Sequence, residues 1–81
     1  MPTVLRQGPY RVYFFSHENR EPVHVHVDRD ERTAKFWLRP VLLARNGGFG
    51  RKELRTIRDL LELHEGDLVE AWNEHFDSPG W

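Results

Sequence analysis

The sequence predicts an α+β fold. A small antiparallel β-meander of about four strands is packed by one long C-terminal amphipathic helix, with a short helical connector between them. Three observations predict it. Val23 to Asp28 reads VHVHVD, and strict alternation over six residues is the period-2 signature of a strand with two unlike faces. Tyr10 to Ser16 reads YRVYFFS, an aromatic-rich run of strand formers. From Arg51 the period changes to 3–4, with Leu54, Ile57, Leu61, His64, Leu68, Trp72 and His75 on one stripe.

The elements follow in order. Thr3 to Arg6 is a short β-prone run that Gly8-Pro9 closes with a turn. Tyr10 to Ser16 is the second strand, and the polar HENREP segment after it is a loop. Val23 to Asp28 and Thr33 to Leu38 form the next pair, joined by Asp30-Glu31-Arg32. Pro40 before VLLAR and Asn46-Gly47 after it are signals for a short helix at Val41 to Arg45. The stripe from Arg51 to about Phe76 keeps its phase across Gly66, which predicts one helix and leaves open whether it bends at that glycine. Such a helix would be roughly 39 Å long at ~1.5 Å per residue. Residues 1–76 are thus expected to form one domain, with 77–81 as a flexible tail.

Composition narrows the function. At 81 residues the core is marginal, and such small domains are supported by disulfides, a metal or a partner. The chain has no cysteine, which removes disulfides, thiolate metal sites and cysteine nucleophiles. No run approaches the ~18 apolar residues of a membrane span, and the N-terminus lacks the pattern of a signal peptide. A cytoplasmic protein that does not enter membranes is expected. The small core and long helix favour a dimer. Net charge is −1, but its distribution is uneven. Residues 1–58 hold all 12 basic residues against 6 acids, +6, and residues 59–81 carry 7 acids, −7.

Two groups of residues carry candidate chemistry. Alternation places Val12, Phe14, Val23, Val25, Val27, Ala34, Phe36 and Leu38 on one sheet face, under the helix. The other face receives Arg11, Tyr13, Phe15, His17, His24, His26, Asp28, Lys35, Trp37 and Arg39. Left uncovered, that face would be an interface through Tyr13, Phe15 and Trp37, or a stacking platform for unpaired bases. His24 and His26 point the same way, and with His17 they form a candidate site for zinc or a similar divalent metal. Glu18 or Asp28 would supply a carboxylate. The metal-free alternative is acid–base catalysis by His24 and His26 with Lys35, as in an RNase-like toxin. Against both stands packing or interface histidines. The second group is basic: residues 39–58 carry +5, and Arg39, Arg45, Arg51, Lys52 and Arg55 are candidates to bind RNA, DNA or another anion. Solvated surface charges would explain them equally well.

Met1 to Arg6, Tyr13-Phe14-Phe15-Ser16, Pro22-Val23-His24-Val25-His26-Val27, Ala34 to Leu38, Leu43-Ala44-Arg45-Asn46, Gly48-Phe49 and Glu70 to Glu74 together resemble the small bacterial family domain of unknown function 4160. The family pattern has proline where this chain has Glu21, and often a serine N-cap where it has Gly50. The resemblance carries over no catalytic residue. It implies a neighbour-encoded partner of the domain of unknown function 2442 type, in a module like a toxin–antitoxin pair, with RNA or DNA as a target.

Overall fold

A computed structural model of the chain describes residues 3–15 and 20–76. His17 and Glu18, from the candidate metal set, and the expected tail 77–81 lie outside the described residues. Five strands form one antiparallel meander in sequential order: β1 (Thr3–Gln7), β2 (Tyr10–Tyr13), β3 (His24–Arg29), β4 (Arg32–Trp37) and β5 (Leu42–Gly47). Two helices follow, α1 (Arg51–Leu63) and α2 (Glu65–Phe76). Gly8 sits in the two-residue β1–β2 connection with φ +57°, a backbone state that glycine adopts without steric cost.

The alternation rule holds for the helix-facing side of the sheet. Val12, Phe14, Val23, Val25, Val27, Ala34, Phe36 and Leu38 are all buried, in one cluster with Ile57 and Leu61 of α1 and Leu68, Val69 and Trp72 of α2. Two layers around one core is the arrangement expected of a sheet and helices that are each apolar on one side.

The connector departs from expectation. Val41 to Arg45 is not helical; Leu42–Gly47 is a fifth strand, paired with β4. A five-residue helix gains little, because nucleation is costly, whereas a strand gains a ladder with a preformed neighbour. The ladder carries an irregularity between Lys35 and Phe36, whose partners are Arg45 and Leu43, so Ala44 is the extra residue. Asn46-Gly47 therefore ends a strand. The Asn46 side chain donates to the Phe49 carbonyl at 2.8 Å and accepts from the Phe49 N–H at 2.9 Å. This clasp turns the chain from β5 into α1 and seats Phe49 in the core. Gly47 is required by space: a Cβ there would lie 2.9 Å from the Thr33 carbonyl oxygen.

The long helix is also two helices. The break falls at His64 (φ −108°, ψ 12°), two residues before Gly66. The His64 N–H is shared between the carbonyls of Leu60 and Leu61, a tightened last turn, and the His64 carbonyl accepts the first bond of α2, from Leu68. One non-helical residue shifts the stripe little, so its phase survived a real break. The break reverses an electrostatic mismatch. Glu65 and Asp67, mid-helix acids in a single rod, become first-turn acids of α2, where the macrodipole favours them. A straight rod of ~39 Å would also exceed the longest extent of the molecule, 34 Å. No helix among the described residues is long and apolar enough to cross a membrane.

Candidate functional site

The aromatic–histidine face is assembled by register. Tyr13 lies opposite His26 across β2 and β3, and His24 and His26 lie opposite Trp37 and Lys35 across β3 and β4. The rings form a continuous cluster. His26 stacks on Tyr13 with centroids 5.3 Å apart, meets Phe15 edge-on at 4.9 Å, and meets His24 edge-on at 5.3 Å. His24 touches Trp37 at 5.7 Å and Trp72 of α2 at 5.0 Å. The Lys35 ammonium sits 4.6 Å above the Trp37 ring and pairs with Glu21. The Tyr13 hydroxyl donates to Asp28 at 3.1 Å, and burial, followed by that carboxylate, pushes its pKa up.

The centre of this face is buried, whereas Arg11, Phe15, Asp28, Lys35 and Trp37 around it are half-buried. His24 is 0 % exposed, His26 5 % and Tyr13 6 %. The His24 Nδ1 donates to the Pro22 carbonyl at 2.9 Å, which orients the ring. The structure brings His24, His26 and Lys35 together, with the two imidazoles buried among rings and Lys35 half-buried. Among the described residues, no group of three or more His, Asp or Glu side chains is placed to hold a metal ion.

The basic connector is divided by the fold. Arg45 lies opposite Lys35 on β5, and the Arg39 N–H donates to Glu65 at 3.1 Å at the start of α2. Arg51, Arg55 and Arg58, spaced by four and three, share one face of α1. They line a groove of about 520 Å³ with Phe36, Pro40, Val41, Leu42, Leu43, Leu54 and one acid, Glu62, and Arg58 also lies 3.8 Å from the exposed Asp59 carboxylate. Lys52 is on α1 but does not line the groove. Leu42 and Leu43 are 56 % and 45 % exposed. Sequence reasoning missed these leucines and Leu54 as site residues. The available signal was the Leu42-Leu43 pair beside a basic run, which a helical reading of the connector hid.

Glu53, the one acid of the connector, is used internally. It accepts from the Tyr10 hydroxyl at 2.9 Å and pairs with Arg29 and, at 3.7 Å, with Arg32. The clamp ties the first turn of α1 to the sheet and directs the Glu53 carboxylate to Tyr10, Arg29 and Arg32. The Tyr10 hydroxyl, and then Arg29, hold the Glu53 carboxyl below its ordinary value of 4.5. A depressed carboxyl stabilises the fold fully above that ordinary value, and the contribution is lost as pH falls through the folded-state value. Urea midpoints measured as pH falls below about 4.5 should therefore decline more in the wild type than in Glu53→Gln. Parallel declines would contradict the clamp.

Residues 10–73 match the family described as Domain of unknown function (DUF4160). The matched stretch spans β2 to α2, and so contains both the ring cluster and the groove. No curated protein and no solved structure matches the chain.

Proposed function

The chain belongs to the family described as Domain of unknown function (DUF4160), and from that premise we propose that it is the binding component of a two-protein, toxin–antitoxin-like module, holding its partner protein in the groove between β5 and α1. The observation that carries this reading is the convergence of Arg51, Arg55 and Arg58 with the exposed Leu42 and Leu43 on one groove. Apolar walls rimmed by three arginines against one acid, Glu62, fit an amphipathic, acidic protein segment. The partner is expected to be of the neighbour-encoded domain of unknown function 2442 type, in the cytoplasm.

Nucleic acid is the second reading, favoured by the +5 charge of residues 39–58. It fits the groove less well. Single-strand sites stack bases on aromatic rings, whereas this groove is walled by leucines and Tyr13 is buried on the other sheet face. Acid–base or metal chemistry at His24 and His26 is the weakest reading, given their burial among rings.

Calorimetry with the purified neighbour-encoded partner tests the proposal. Reversing Arg51, Arg55 and Arg58 to Glu is expected to weaken binding at least ~10-fold, about 1.4 kcal/mol, and to leave the fold intact. Unchanged affinity would remove the groove from the account. Tight binding of an oligonucleotide at low salt, abolished by the same reversals, would move the site to nucleic acid.

A further inference from the structure

The two edges of the sheet are treated differently. At one edge, α2 approaches β1, and Val4 and Leu5 of β1 are partly buried against the core. At the other, β5 is the last strand, and all six of its residues are exposed. Its outward N–H and C=O groups therefore face no strand among the described residues. Such an edge is a template for another strand, and proteins that keep it unused shorten, charge or cover it. Here Arg45 and the bulge at Ala44 are the only such devices on β5, and its other end carries Leu42 and Leu43.

Two contacts show how α1 lies relative to this edge. The Asn46–Phe49 clasp joins the end of β5 to the start of α1, and the Arg39 N–H joins the chain before β5 to Glu65, just past the end of α1. The helix thus runs back along β5. Arg51, Arg55 and Arg58 cover about 10 Å of its length at ~1.5 Å per residue. A strand presents a side chain to the same face every ~6.8 Å. Two or three same-face residues of an added strand would therefore lie along the arginine row.

Resting on the groove reading above, we propose that β5 accepts a sixth strand from the partner, an extended segment that alternates apolar and acidic residues. Backbone bonds to Leu42–Gly47 supply affinity; carboxylates on one face of the strand toward Arg51, Arg55 and Arg58, and apolar groups on its other face beside Leu42, which pairs with Trp37, supply selectivity. Charge decides against a second copy as occupant. Another copy would offer the same arginine-flanked edge, bringing like charges together.

The test uses the full chain, labelled with 15N, and three probes. The first is a capped peptide of about ten residues alternating Val and Glu. The second is the same peptide N-methylated at alternate residues, which removes its ladder donors. The third is oligo(dT) of matched charge. The proposal expects saturable binding of the first peptide with slowed amide exchange in Leu42–Gly47. It also expects at least ~10-fold weaker binding for the N-methylated peptide, and for the first peptide with Arg55→Glu or, independently, Arg58→Glu. Either exposed-site variant suffices if the other fails to fold. No saturable binding up to about 1 mM would overturn it. Equal affinity for the N-methylated peptide, still lost with Arg55→Glu, would overturn strand addition and leave the groove reading standing. Displacement of the peptide by tighter-binding oligo(dT) would overturn both.

Discussion

Replacing Trp72 with Ala is expected to destabilise the fold by about 3–5 kcal/mol. Trp72 is 1 % exposed and joins both sides of the sheet's end: its ring lies 5.2 Å from Phe14, 4.4 Å from Phe76 and 5.0 Å from His24. An 81-residue domain has a total stability of roughly 4–12 kcal/mol at ~0.05–0.15 kcal/mol per residue. The substitution therefore removes a large share of it and should leave much of the population unfolded at modest urea. Trp72→Phe should be much milder. The indole Nε1 is buried with no hydrogen-bond partner among the described residues, so Phe removes that donor along with the second ring. Urea unfolding of both variants checks this. A loss below about 1 kcal/mol for Trp72→Ala would mean that α2 is not held to the sheet by this residue.

The second large effect concerns His24. His24→Ala is expected to cost about 2–4 kcal/mol, from the cavity it opens between Trp37 and Trp72 and from the donor lost to the Pro22 carbonyl. His24→Phe preserves the packing but leaves that carbonyl without its donor, and should cost about 1–3 kcal/mol. Melting temperature should not respond to a chelator. Stability unchanged in His24→Ala, together with loss of biological effect, would return His24 to a chemical role. A chelator-sensitive melt would return it to a metal site.

These two residues show how legible the chain was. The VHVHVD alternation placed Val23, Val25 and Val27 and both histidines on their faces, because a two-residue period leaves no other arrangement for a paired strand. It could not show that both histidines would be buried. That depends on Trp72 and on ring neighbours brought in from β2 and β4. The helix limits Arg51 and Phe76 were also legible, whereas the break at His64 was not, since one residue outside the helical range barely disturbs the stripe. The connector misled because Pro40, VLLAR and Asn46-Gly47 carry good helix signals locally, and pairing with β4 outweighed them. That single misreading concealed the groove. Its leucines belong to a strand edge, and its arginines were visible only as a +5 stretch that the fold then divided between three places.

The central claim is that β5 and α1 together form the partner site. Amide hydrogen exchange of the chain, free and bound to its neighbour-encoded partner, tests it most directly. Slower exchange confined to residues 40–47 and 51–62 is the expected result. Slower exchange at β2 and β3 around Tyr13, His24 and His26, with β5 and α1 unchanged, would contradict the account.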